Sequence, residues 1–323
     1  NDAMSNRLAA LLTGCGIYRI SDTLKFYKWE DWNDATGAAQ GWSLSTGSHI
    51  FRGTHTCGGG DRPEIRLNPG VNAFGNVSAA RPMLAFRNFS AANTNAVVGT
   101  EPPNPLENPT NFNDGQTVAF YETFEGINLN TNDNDGAIGL TMATAQDSTI
   151  LNTTITATGS YAGIYTLPGR NSVTGNITII GGQYNILHGL VNGLTLAATQ
   201  GPTLVGITLS GATTNAIYWK EQAVPTMVGF DITKTTAGSV IKSDGKAVFL
   251  DGKITVSGAG ANAVAIENVG DYNLYTANLY VTGSTNLIES GTTTTGSGTW
   301  AKIIEYIYNE QFNKDGSNDP TVF

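Results

Sequence analysis

A repeat of short apolar strands is the feature that most constrains the fold of this 323-residue sequence. From residue 124 onward, pairs of apolar residues separated by one position recur in steps of 22 to 30 residues. The pairs are Ile127/Leu129, Ile155/Ala157, Ile177/Ile179, Ile207/Leu209, Phe230/Ile232, Ile254/Val256 and Leu279/Val281. A second series follows each pair (Ile138, Ile164, Ile186, Ile217, Val240, Val264, Ile288), and a third precedes the next pair (Ile150, Val173, Leu204, Met227, Phe249, Leu274).

Three short strands per repeat, separated by Gly, Asn, Ser and Thr turns, predict an all-β fold: a single-stranded parallel β-helix of seven or more coils. Each coil gives one strand to each of three parallel sheets, and stacking buries a continuous apolar column. With coils about 4.8 Å apart, seven of them form a rod about 34 Å long. A sandwich or jelly roll would not require three registers to hold through seven units.

The middle residues of the pairs form a predicted outward row: Asn128, Thr156, Thr178, Thr208, Asp231, Thr255 and Tyr280. Stacked threonines suit a solvated β surface. The same row is also a candidate binding ladder.

Composition narrows the class of protein. Charged residues make up 13 % of the chain, about half of the usual 25 % or so, and the formal net charge is −9. These values disfavour coiled coils, nucleic-acid binders and charge-rich tails. No apolar run of about 18 residues occurs, so no membrane span is predicted. We expect a turn-rich extracellular (secreted) protein.

The two ends of the chain differ from the repeat. The spacing of Met4, Leu8, Leu11 and Leu12 predicts a short N-terminal amphipathic helix. We expect a helix with a capping or first-coil region over residues 1–115, the β-helix over 116–310 and a polar tail or linker over 311–323. Within these bounds, 300–308 are predicted to form one more strand. Cys15 and Cys57 are either one disulfide or two buried thiols.

Four short motifs carry a resemblance to a known superfamily. They are Gly16–Leu24, Arg62–Gly70, Ala137–Leu140 followed by Ala145 and Gln146, and Gly181–Tyr184. The chain resembles the pectate-lyase-like superfamily, nearest the amino-terminal β-helix of family 55 glycoside hydrolases (β-1,3-glucanases) and their uncharacterised relatives. The resemblance implies a right-handed helix and a carbohydrate-active protein.

In that family two β-helices pack side by side, the active site lies between them, and a Gln helps to place the hydrolytic water. Met142 and Ala143 align with the family's Trp-Gln pair, and alanine cannot orient a water. The resemblance therefore implies that hydrolysis would need groups from a second β-helix domain or from identical subunits.

Acidic residues are the first candidates for chemistry. Glycoside hydrolysis uses two carboxylates about 5–10 Å apart, and Asp133 and Asp135 form the densest acidic run. Asp and Asn are also ordinary turn formers, and calcium is a further option for such a run. The interpretations as catalytic pair, turn and ion site all remain open.

A second candidate cluster combines aromatic, basic and acidic residues. Aromatic rings stack on sugar faces and Glu221 is a candidate acid, so we predict a substrate-binding surface from Tyr218, Trp219, Lys220, Tyr184 and His188. The alternatives are that Trp219 is a packing residue and that His188 hydrogen-bonds a turn. The three histidines and two cysteines show no zinc spacing, and no cofactor or metal is predicted.

The leading hypothesis is an extracellular carbohydrate-active β-helix that binds or hydrolyses a neutral polysaccharide such as β-1,3-glucan. The alternative is a non-catalytic structural subunit of an extracellular fibre, filament or appendage. A third interpretation is a trimeric tailspike-type depolymerase.

Overall fold

A computed structural model describes residues 9–12, 14–33, 39–43, 49–53, 62–90, 121–144, 146–169, 171–188, 201–219, 225–258, 263–270, 272–290, 293–295 and 300–308. Within these ranges the chain forms strands and two short 3-10 helices, Asn72–Phe74 and Val77–Ala79. The strands are β1 (Ala9–Leu12), β2 (Ile17–Ile20), β3 (Leu24–Asn33), β4 (Ala39–Ser43), β5 (Ile50–Gly53), β6 (Glu64–Leu67), β7 (Arg81–Ser90), β8 (Thr123–Glu125), β9 (Asn128–Asn130), β10 (Ala137–Met142), β11 (Thr149–Thr156), β12 (Ala162–Tyr165), β13 (Val173–Ile180), β14 (Tyr184–His188), β15 (Thr203–Ser210), β16 (Asn215–Trp219), β17 (Thr226–Lys234), β18 (Gly238–Ser243), β19 (Ala247–Val256), β20 (Ala263–Asn268), β21 (Leu274–Thr282), β22 (Asn286–Ser290), β23 (Thr293–Thr295) and β24 (Trp300–Tyr308).

Two long sheets carry the described strands. Sheet A, with 13 strands, runs β1-β5-β8-β11-β13-β15-β17-β19-β21-β24, and β2, β6 and β9 branch from it. Sheet B, with 11 strands, runs β23-β22-β20-β18-β16-β14-β12-β10-β7-β3-β4. From β11 to β21 the chain alternates between the sheets, and each strand pairs in parallel with the one a coil away. The predicted all-β parallel β-helix is confirmed.

The three predicted segments of a coil occupy two hydrogen-bonded strands. The third and first apolar series share one long strand of sheet A, as Ile150 and Ile155 do in β11. Asn152, between them, has φ 54°. A positive φ turns the chain without breaking the hydrogen-bonded ladder, so the long strand bends where the sequence suggests a gap between strands.

The register differs from the predicted one in two coils. Ile155 stands opposite Leu129 and Ile179, and Ile254 stands opposite Ile232 and Val281. Both coils are therefore shifted by two residues from the predicted alignment, because a period of two looks the same after such a shift. The outward row is consequently Asn128, Thr154, Thr178, Thr208, Asp231, Lys253 and Tyr280.

The main core is an apolar column that runs through the coils. Aromatic rings dominate its N-terminal end, where Phe26 stacks on Phe86 with ring centroids 4.4 Å apart, and Phe51 and Phe124 pack close by. Isoleucine and leucine dominate the later coils. Each such buried side chain contributes roughly 1.5–3 kcal/mol relative to exposure.

The N-terminal helix prediction is wrong for the part of it that the structure describes. Residues 9–12 form β1, and Leu11 and Leu12 pair in parallel with Arg52 and Gly53. Pairing with a sheet edge outweighs the helical spacing of four residues. Residues 1–8, which held the rest of the predicted helix, lie outside the described ranges.

Both sheets extend into the region that was expected to cap the helix. β7 pairs in parallel with β10 and β3, so the ladders continue across the expected boundary at residue 116. At the other end, β24 and β23 pair antiparallel with β21 and β22, and the predicted strand at 300–308 is confirmed. Residues 311–323 lie outside the described ranges. No helix in the described part is long and apolar enough to span a bilayer.

Candidate functional site

Two of the predicted substrate-binding residues lie inside the helix. The His188 and Trp219 rings stack at 4.4 Å and are only 0 % and 1 % exposed. The Leu167 N–H donates to His188 Nδ1 at 3.0 Å, and burial lowers the pKa of His188 to about 3. The prediction that these rings contact a polysaccharide is wrong because neither reaches the surface. Instead, His188 hydrogen-bonds the chain where it leaves β12.

Tyr184 and Tyr218 do come together, on the outer face of sheet B. With Tyr161 they form a tyrosine row along the helix axis, in which neighbouring ring centroids are 5.8 and 6.2 Å apart. Lys242 Nζ lies 5.6 Å from the Tyr218 ring and 3.0 Å from Glu267 Oε1. Burial is the main reason that the pKa values of all three tyrosines are raised.

The tyrosine row packs against a second apolar cluster, separate from the main core: Ala80, Ile138, Ala162, Tyr165 and Leu187. These five residues are buried. The three tyrosines are only partly exposed, so a large share of each ring is used in packing.

The acidic run lies in the turn from β9 to β10. Asp133 and Asp135 are exposed, and Asp133 has φ 55°. Between them, the buried Asn134 accepts from the Val71 N–H at 2.9 Å and donates to the Asn68 and Thr131 carbonyls. These bonds support the turn interpretation. Among the described residues, no group of three or more His, Cys, Asp or Glu is arranged to hold a metal ion.

The remaining predicted residues are only partly covered by the structure. Lys220, Glu221 and Cys57 lie outside the described residues. Cys15 is disulfide-bonded. Ala143, at the position aligned with the water-orienting Gln, is buried.

The bends of sheet A form a ladder of residues with positive φ. One such residue from each coil stands opposite its neighbour: Gly126 (68°), Asn152 (54°), Asn176 (49°), Gly206 (65°), Gly229 (64°), Asp251 (52°) and Asn278 (54°). We call this row the bend ladder. Gly, Asn and Asp fill it because they tolerate the left-handed conformation best.

Side chains bridge the bend ladder on both sides of its centre. Asn176 Nδ2 donates to Asn152 Oδ1 at 2.7 Å, and Asn278 Nδ2 donates to Asp251 Oδ1 at 2.7 Å. Gly206 and Gly229 lie between these pairs, in two neighbouring coils, and have no side chain.

A groove of about 440 Å³ lies at these two glycines. It is lined by residues of four successive coils: Gly206, Ile207 and Thr208; Gly229, Phe230 and Asp231; Asp251, Gly252 and Lys253; Asn278 and Tyr280. We call it the ladder groove. Because its walls come from stacked coils, it runs along the helix axis.

The polar side chains of the ladder groove are accessible. Asp231 Oδ2 and Lys253 Nζ are 3.6 Å apart, and their side chains are 50 % and 55 % exposed. Thr208 and Asp251 are exposed as well. Carboxylate, ammonium, amide and hydroxyl groups therefore line one open surface, which suits a ligand with many hydroxyl groups.

Aromatic rings continue the ladder groove onto the last strand. Tyr280 is 39 % and Trp300 62 % exposed, and their ring centroids are 6.3 Å apart. Lys302 Nζ lies 5.1 Å from the Tyr280 ring. We call these three residues the aromatic shelf.

Sequence reasoning placed Asp231 and Tyr280 on the outward face but did not identify the groove. A signal was present: each coil has Gly, Asn or Asp between its third and first apolar series, at the seven bend-ladder positions. The two adjacent glycines of this row, Gly206 and Gly229, lie where the surface opens.

The sequence matches no protein-family model and no curated protein. Among solved structures, the ORF18 protein of Geobacillus virus E2 is similar at 9 % identity and a TM-score of 0.36. The alignment covers 93 % of this chain and 59 % of that protein, so this chain spans less than two thirds of it. A likeness at this TM-score carries no functional argument.

Proposed function

We propose that this β-helix binds a neutral polysaccharide along the outer face of sheet A, in the ladder groove and on the aromatic shelf. The observation that carries the proposal is the open groove, which combines exposed polar groups with two exposed aromatic rings. Ligand sites in proteins typically pair a concavity with a few placed polar groups.

The side chains supply both kinds of contact that a sugar needs. Carboxylates of Asp231 and Asp251 accept hydrogen bonds from hydroxyl groups, and Lys253 donates to ring and hydroxyl oxygens. The Tyr280 and Trp300 rings provide apolar faces for the C–H side of a sugar ring.

Charge favours a neutral ligand. The ladder groove holds two carboxylates and one ammonium group, and the whole chain has a formal net charge of −9. An anionic polymer such as a polyuronate would be repelled at a distance by this net charge, whereas Lys253 and Lys302 balance the two carboxylates within the proposed surface itself.

The proposal is binding rather than hydrolysis. The residue aligned with the family's water-orienting Gln is Ala143, which is buried and has no group that could hold a water. The proposal includes two further expectations from the sequence: a relationship to the β-1,3-glucanases and an extracellular location. A glucan of that type is the first ligand to test.

The test is isothermal titration calorimetry of the full chain with laminarin, a neutral β-1,3-glucan, and with polygalacturonate. We expect binding to laminarin alone. Tyr280→Ala and Trp300→Ala should each weaken it about 2- to 10-fold, since aromatic contacts contribute about 0.5–1.5 kcal/mol.

Tyr121→Ala is the matched control, because Tyr121 is 59 % exposed and precedes β8, three strands from β15 in sheet A. Absence of binding to laminarin and to other neutral glucans would overturn the proposal. Equal losses in Tyr121→Ala and Tyr280→Ala would remove the assignment to this face.

A further inference from the structure

We infer that Gly206 and Gly229 form a ligand subsite of the ladder groove, because the two missing rungs leave space for a neutral polysaccharide lying along the helix axis. This inference rests on the proposed function and adds where and in which orientation the chain binds.

The missing rungs explain why the groove lies where it does. Asn152 and Asn176 fill the bend ladder before the gap, and Asp251 and Asn278 fill it after the gap. Only glycines stand at the two positions between, and both line the groove. With strands about 4.8 Å apart, the two open rungs extend about 10 Å along the axis.

Packing does not demand glycine at either position. A Cβ at Gly206 would have its nearest neighbour, Asn176 N, at 3.8 Å, and a Cβ at Gly229 would have Gly206 N at 3.9 Å. Gly252 differs, because a Cβ there would lie 2.1 Å from the Phe230 ring. The backbone does not demand glycine either, since Asn176 and Asn278 hold similar positive φ values in the same row.

A ligand in this gap would meet a defined set of groups. Asp251 lies at one end and Asn176 closes the other, while Thr208, Asp231 and Lys253 face the gap from the adjoining outward row. The aromatic shelf continues in the direction of β24. An unbranched chain fits this axial path, whereas a bulky branch at the gap would meet the Asn176 or Asp251 side chain.

The test replaces both glycines with asparagine, which other positions of the bend ladder hold. The double variant Gly206→Asn/Gly229→Asn should keep its circular dichroism and lose little in unfolding temperature, because asparagine tolerates the left-handed conformation that both glycines hold. Its affinity for laminarin should fall at least 10-fold. Gly238→Asn is the matched control: Gly238 has φ 83° and nothing within 4 Å of an added Cβ, and it begins β18 in sheet B.

The outcomes separate the two claims. A folded double variant that binds laminarin as tightly as the wild type overturns this inference and leaves the proposed function standing. A wild-type protein that binds no neutral glucan overturns both. If the double variant does not fold, the laminarin affinity of the single variant Gly206→Asn is measured instead. An unchanged affinity in that folded variant overturns the inference.

Discussion

The outer faces of the two sheets present similar residue types in very different surroundings. On sheet B the tyrosine row rests on a buried apolar cluster and is partly buried itself. On sheet A the aromatic shelf and the polar residues of the ladder groove, apart from the half-buried Asn278, are exposed to solvent. Aromatic residues beside a Lys and an acid therefore do not identify a binding face. A binding face is identified by the exposure of such residues and by the space that neighbouring glycines leave.

The largest expected difference between the faces concerns stability. Trp219→Ala should lower the free energy of unfolding by about 3–5 kcal/mol, because it removes a fully buried indole stacked on His188. Trp300→Ala should change it by less than about 1 kcal/mol, since Trp300 is largely exposed. Urea unfolding followed by circular dichroism measures both. Similar losses in the two variants would contradict the contrast in burial.

Acid should destabilise the protein through His188. The unfolded chain takes up a proton below about pH 6.5, whereas burial holds the folded-state pKa near 3. The stability contribution is therefore complete above pH 6.5 and is lost as the pH falls, by about 1.4 kcal/mol per unit. Between pH 6.5 and 5 this amounts to about 2 kcal/mol.

Urea midpoints measured across that pH range check this prediction. His188→Asn serves as the reference, because it retains His49 and its buried partner Glu122 while removing only the His188 titration. The variant should be less stable at pH 7 but should lose less stability on acidification. Parallel pH curves for the two proteins would show that His188 does not titrate as described.

Substitutions in the bend ladder should have smaller effects on the free energy of unfolding. They separate the contribution of the backbone conformation from that of the side chain. Asn176→Ala should cost about 1–2 kcal/mol, because alanine is unfavourable at φ 49° and the bond to Asn152 is lost. Asn176→Gly loses the same bond without the backbone penalty and should cost less. If the two variants were equally destabilised in urea unfolding, the positive φ would not be what selects Asn here.

The smallest expected effect is on ligand binding by the tyrosine row. Tyr184→Phe and Tyr218→Phe keep the packing and remove only the hydroxyl groups, so laminarin affinity should change less than 2-fold in calorimetry. Asp231→Asn, in the ladder groove, is the comparison and should weaken binding measurably. A larger loss from Tyr184→Phe than from Asp231→Asn would move the binding face to sheet B.

The architecture could be predicted from the sequence because every coil of a β-helix repeats the same pattern of buried and turn residues. Period-two apolar pairs and regularly spaced turn residues predict the stacked parallel strands directly. The exact register is not encoded as firmly, because Ile155 and Ala157 both suit the interior and a shift by two residues preserves the pattern. Leu11 and Leu12 have helical spacing, but a partner strand about 40 residues away decides their conformation.

The binding surface was harder to predict than the fold. Trp219 follows Tyr218 in β16, so the two side chains point to opposite faces of the sheet, but the packing of the coils decides which of them is buried. The ladder groove depends on four coils that are distant in sequence. Its signal is the absence of side chains at Gly206 and Gly229, which gains meaning only once the coils are aligned.

A crystal structure of the protein with a bound laminari-oligosaccharide tests the central claim most directly. The account predicts sugar rings along the helix axis over Gly206 and Gly229, with hydroxyl groups bonded to Asp231 and Asp251 and one ring against Tyr280 or Trp300. An oligosaccharide seated on Tyr161, Tyr184 and Tyr218 instead, with the ladder groove empty, would contradict it.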